Sequence, residues 1–166
     1  MASTVVSEGL PTILHLVPVI SSTCSLWFAW DQYEFMTLFR KPDLQDLSNK
    51  LLPSYFASFF NRGAPGVVGL LTTTLFSCGA ILRYSPGTTL HDNGAFPWYA
   101  AGILFAIGHQ TFIPFFLPHV RAIEKDAKEK NVAELSSWLR VHTRRSLTVD
   151  LAAWVCCIVA TVKALP

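Results

Sequence analysis

Four stretches of the chain are predominantly apolar for about twenty residues each, over about residues 10–30, 63–82, 96–117 and 147–165. Roughly 20 apolar residues in helical form match the hydrocarbon thickness of a bilayer. Charged residues make up only 14% of the chain, against roughly 25% in a soluble domain. The expected fold is therefore all-α: an integral membrane four-helix transmembrane bundle, one membrane domain over 1–166, with short amphipathic surface helices. A net charge of +2 gives no footprint for nucleic acid. The first eight residues lack a basic region, so no signal peptide is expected. Cys24, Cys78, Cys156 and Cys157 all sit in apolar runs without metal-finger spacing, so neither a structural disulfide nor a cysteine metal site is expected.

Polar residues inside the spans are not scattered. In the first span His15, Ser22, Ser25 and Gln32 share one helical stripe, which should face other helices and not lipid. Pro11 and Pro18 predict a bend there. Between the first two spans, residues 44–60 read as an amphipathic surface helix interrupted at Pro53. Gly63, Gly66 and Gly69 predict close helix approach in the second span. Turn signals at Ser85–Gly87 and Asp92–Gly94 precede the third. There Trp98, Phe105, His109, Phe112, Phe116 and His119 fit one stripe, with Pro114 and Pro118 distorting its last turns.

Ahead of the fourth span, Leu135, Trp138, His142, Arg145 and Val149 alternate in steps of three and four, which stacks them on one helix face. Asp150 lies about two turns beyond His142 and slightly off that face. A carboxylate at that depth is costly unless paired, which marks a functional site; an interfacial Trp–Arg anchor is the plainer alternative.

Lysine and arginine crowd the first and third loops, from Arg40 to Arg62 and from Arg121 to Arg145, while the opposite side carries Arg83 and Lys163. The positive-inside rule places both large loops in the cytoplasm and both termini in the lumen or outside. Asp31, Gln32, Arg62, His119, His142 and Arg145 then ring one cytoplasmic mouth, with His109 roughly 15 Å deeper along its helix. A partly apolar pocket with a few convergent polar groups is the usual form of a small-molecule site. His15, His109, His119 and His142 offer four imidazoles, but no pair has the spacing of a helical metal motif. No metal is assigned; a metal or haem on these histidines is the lesser alternative.

The chain resembles the family of small fungal and bacterial membrane proteins that includes the anthrone oxygenases of aromatic polyketide pathways. Three elements carry the resemblance: Trp98-Tyr-Ala-Ala-Gly102, the Pro-Phe segment Pro114–Phe116, and Trp138-x3-His142-x2-Arg145. The family more often has Asn at the His142 position, and Asn near Arg121, where this chain reads Pro118-His119-Val120-Arg121. The resemblance implies oxidation of a flat, apolar polycyclic anthrone to a quinone, with O2 as co-substrate and no flavin or nicotinamide. His109 or His142 would be the base, Arg145 the oxyanion partner, and Asp150 or Asp31 the orienting carboxylate. Trp138, Phe112 and Phe116 would hold the rings, with His119, Asp31, Gln32, Arg62 and His15 as further substrate contacts. The lipid bilayer is the surrounding partner; an oligomer and the endoplasmic reticulum are both compatible with this reading. Two alternatives keep the fold: a membrane cyclase or isomerase, and a non-catalytic scaffold working through the 31–61 and 121–134 loops.

Overall fold

The computed structural model describes the backbone of residues 2–85 and 87–165, and the side chains of 12–85 and 89–165. Pro86, at the centre of the expected Ser85–Gly87 turn, and the side chain of Pro11 lie outside the described residues. The regular elements are α1 (Ala2–Thr37), α2 (Gln45–Tyr84), α3 (Gly87–Asp92), α4 (Phe96–Gly108), α5 (Ile113–Glu124), α6 (Asn131–Arg145) and α7 (Leu151–Ala164). Short 3-10 turns join some of them, a π turn over Ser146–Asp150 joins α6 to α7, and no strand occurs among the described residues. The fold is all-α. Four helical stretches, Thr12–Arg40, Pro42–Tyr84, Phe96–Glu124 and Lys128–Ala164, are long and apolar enough to cross a membrane.

The polar stripe of α1 faces inward. His15, Ser22 and Gln32 are buried, whereas Ile13, Ile20, Trp27 and Trp30 are exposed on the opposite side. Ser21 pairs with Thr74 of α2 at 2.7 Å, and Trp154 of α7 donates to Thr23 at 2.8 Å. Between lipid-facing helices apolar burial adds little drive, so such hydrogen bonds and close packing carry the association. Gly102 supplies one close contact: a Cβ there would lie 3.4 Å from the Cys157 sulfur.

The helix α1 runs through Pro18 without a break. The Ser22 hydroxyl donates back to the Pro18 carbonyl at 2.6 Å. Two expectations are corrected: first, α2 is one helix through Pro53 and Pro65, so the expected surface helix and the second span are continuous. Pro53 has no N–H for the Asn49 carbonyl one turn back. Asn131 fills that vacancy, donating to Asn49 O at 2.9 Å. Second, only Gly63 of the three expected glycines is a close approach; a Cβ on Gly66 or Gly69 meets nothing within 4 Å.

Pro114 acts as expected, but upstream. It offers no N–H to the Gln110 carbonyl one turn back. Ile113 N bonds that carbonyl instead, tightening His109–Phe112 into a 3-10 turn.

Candidate active site

Arg145 closes α6, and Asp150 is the last residue of the π turn that leads into α7. In an uninterrupted α-helix, residues five apart point about 140° away from each other. The π turn holds one more residue per hydrogen-bonded ring and brings positions five apart onto one side. Arg145 Nε accordingly donates to Asp150 Oδ2 at 3.1 Å.

His109 reaches the other oxygen of the same carboxylate, Nδ1 to Oδ1 at 2.8 Å. It comes from the 3-10 turn His109–Phe112, so that turn and the π turn meet at Asp150. Arg145 donates a second time, through Nη2 to His142 Nδ1 at 3.1 Å, and His142 Nε2 lies 2.9 Å from the Ala29 carbonyl. All four side chains are buried.

The proton positions follow from the partners. A guanidinium only donates and a carbonyl only accepts. His142 is therefore the neutral Nε2–H tautomer, with both nitrogens engaged. At His109, Nδ1–H donates to the carboxylate, which turns Nε2 away from it. The Arg145 charge balances the Asp150 charge. An unpaired ion at this depth would be costly, and mutual pairing is the usual remedy.

Two of these groups face a cavity of about 250 Å³ between α2 and the α4–α5 segment, lined by His109 and Arg145 together with Gln32, Phe59, Phe116 and Trp138, among others. Among the described residues neither His109 Nε2 nor Arg145 Nη1 has a protein partner, and neither is a sealed atom. The cavity thus presents a carboxylate-oriented imidazole beside a guanidinium nitrogen, against apolar and aromatic walls. Trp138 stacks on His142, with ring centroids 4.8 Å apart, and meets Phe56 edge-on at 5.3 Å. A groove of about 590 Å³ on the other face of the same segment is lined by Trp27, Trp30, Trp154 and His142. His142 offers it no free nitrogen.

The structure gathers His109, His142, Arg145, Asp150, Trp138, Gln32 and Phe116 of the residues singled out from sequence. It does not bring in the rest. His119 pairs with Glu134 at 2.7 Å on the half-exposed α5–α6 surface. Phe112 lies edge-on to Phe115, Arg62 is exposed, and Asp31 is not among the cavity's lining residues. His15 bonds the Tyr99 hydroxyl at 2.7 Å in a network closed by Thr161, part of a cluster with Cys78 and Cys157. The four imidazoles are therefore not gathered, and no three His, Cys, Asp or Glu side chains form a metal-holding group among the described residues. Phe59, Phe60 and Gly63 line the cavity as well. Their spacing of three to four on α2 was the available signal for that face.

Three relatives are similar over nearly their whole length. Epoxidase pydX of Acremonium sp. is 30% identical over 154 residues, spanning 92% of this chain and 94% of the relative. Probable epoxidase scpX of Mollisia scopiformis is 32% identical over 154 residues, 92% and 96% of the two chains. Epoxidase gkaX of Penicillium citrinum is 32% identical over 156 residues, 92% and 95%. No family model and no solved structure matches the chain.

Proposed function

Because the chain belongs to the family of the fungal epoxidases pydX and gkaX, we propose that it is a membrane-embedded oxygenase that converts a carbon–carbon double bond of an apolar substrate into an epoxide. The relatives' names support the oxidative enzyme class expected from sequence, and they favour epoxide formation over the anthrone reaction. The observation that carries the reading is the pair of unpartnered atoms, His109 Nε2 and Arg145 Nη1, beside an apolar cavity and held from behind by Asp150.

Epoxidation by O2 places one oxygen atom in the ring and releases the other as water, consuming two electrons and two protons. The electrons come from a two-electron donor outside the chain; in anthrone oxidation the substrate supplies them. This chain's residues handle the proton and the charge. Cleaving an O–O bond leaves negative charge on the departing oxygen. The Arg145 guanidinium, fixed by its bonds to Asp150 and His142, is placed to stabilise that charge without reorganising. His109 Nε2 delivers or takes the proton, with Asp150 holding the ring tautomer. Trp138, Phe59 and Phe116 enclose the apolar part of the substrate and keep water from the polar end.

A second reading, anthrone-type oxidation, is favoured by the same imidazole. A base beside a cation would also remove an acidic benzylic proton and hold the resulting phenolate. Product mass under 18O2 separates the two. Microsomes bearing the protein, given a panel of lipophilic alkenes and an anthrone, should yield an alkene product heavier by one 18O. Quinone from the anthrone above the spontaneous rate, with no epoxide, would replace the first reading by the second.

We place the α1–α2 and α5–α6 connections in the cytoplasm and both termini in the lumen, on the strength of the basic residues flanking those connections. The cavity then opens toward the cytoplasmic half of the bilayer.

A further inference from the structure

One polar group in the cavity is used by nothing in the chain. Gln32 stands three residues past Ala29, whose carbonyl holds His142. Its side chain lines the cavity and is only 8% exposed. Among the described residues its carboxamide makes no hydrogen bond. Gly63 leaves it room: a Cβ there would lie 3.5 Å from Gln32 Nε2.

The side chain is buried, but its carboxamide atoms are not sealed and open on the cavity. A purely hydrocarbon ligand would displace water there and leave the carboxamide unbonded, which is unfavourable; a ligand that bonds it avoids that cost. The charge balance narrows the ligand further. Arg145 and Asp150 already neutralise each other. A charged substrate would bring an uncompensated ion into an apolar cavity within the membrane.

We infer that Gln32 is a substrate-specificity residue, and that the substrate is an uncharged, mainly apolar molecule carrying a carbonyl group. Its oxygen accepts a proton bond from the Gln32 carboxamide, while the double bond to be oxidised lies toward His109 and Arg145. Anchoring the neutral polar group at α1 fixes which bond along an otherwise featureless apolar molecule meets the reactive end. The assignment rests on the proposed reading of this cavity as the substrate site.

The test uses two probes of closely similar shape, benzophenone and diphenylmethane, which differ by a carbonyl in place of a methylene. Binding is measured by titration calorimetry on the detergent-solubilised full chain, for wild type and for Gln32→Met, which keeps the side-chain length. Gln32→Leu provides the same comparison should the first variant fail to fold. The expected result is a loss of about tenfold for benzophenone in the variant, the scale of one buried hydrogen bond, with diphenylmethane unchanged. Equal effects on both probes, no effect on either, or no binding of benzophenone to wild type would overturn the inference. The binding cycle involves no turnover, so its outcome is separate from that of the 18O2 experiment: an epoxidase that ignores the carbonyl fails only here.

Discussion

Asp150 accepts from two cavity-facing residues that reach it from different helices, His109 at 2.8 Å and Arg145 at 3.1 Å. Removing it leaves a buried guanidinium without its counter-charge, which costs about 3–5 kcal/mol. Asp150→Ala should therefore lower thermal stability in detergent markedly. The double variant Asp150→Ala/Arg145→Met should recover much of the loss, because no lone charge remains; a double variant as unstable as the sum of the singles would count against the pairing. The two histidines should separate. His109→Ala removes the unpartnered nitrogen and should reduce epoxide formation about 100-fold or more. His142→Ala removes only a support for Arg145 and should leave a larger residual rate. Sequence spacing had left the base open between His109 and His142, since both sat on plausible stripes. The proposed reading takes His109 because its Nε2 is the nitrogen left unpartnered, and that depends on Ala29 and Asp150, neither adjacent in sequence to the histidine it holds.

At the scale of elements, the site is made where regular helix fails. The stripe from Leu135 to Arg145 was legible because α6 is a regular helix. Asp150 read as slightly off that stripe because a π turn has no spacing signature in the sequence. Pro114 was legible as a distortion, but its effect falls on His109–Phe112, and that tightening sends Phe112 toward Phe115 while His109 keeps Asp150. Pro114→Ala should let α4 and α5 merge into one helix and turn His109 from its carboxylate. A fall in turnover of about tenfold or more with unchanged expression would fit the sensitivity of catalysis to small misplacements; unchanged turnover would show that the 3-10 turn is incidental. Asn131 lies in the stretch expected as the 121–134 loop. It is instead a fully buried hub: it donates to Asn49 O and to Asp126 Oδ1 and accepts from Ala127 N. Asn131→Ala should cost about 1–3 kcal/mol by leaving the Asn49 carbonyl unsatisfied, read as a lower unfolding midpoint. The bonds from Asn131 and from the Lys128 N–H hold the Asp126 carboxyl below its usual value. A depressed carboxyl contributes stability above its unfolded pKa, about 3.9, and loses it as pH falls through the lower folded value. That turn should therefore loosen only in acid, visible as faster amide exchange around residues 125–131.

At the scale of the molecule, the four apolar stretches made the architecture legible, because length and hydropathy alone decide what a bilayer accepts. The polar mouth was over-read. Arg62 is exposed midway along α2 and His119 holds a local ion pair with Glu134, so solvation or a local partner satisfies them and neither needs a site to explain it. The proposed orientation predicts that tags at both termini are shielded from protease in sealed microsomes, while the α5–α6 connection is cut; the reverse pattern would invert the topology. Under the proposed function, the His109–Asp150–Arg145 cluster performs oxygen transfer in the apolar cavity. The most direct test is epoxide formation under 18O2 by matched amounts of folded wild type, His109→Ala and His142→Ala in microsomes. The expected result is one 18O per epoxide in wild type, loss of the product with His109→Ala, and partial retention with His142→Ala. Full retention in His109→Ala would contradict it.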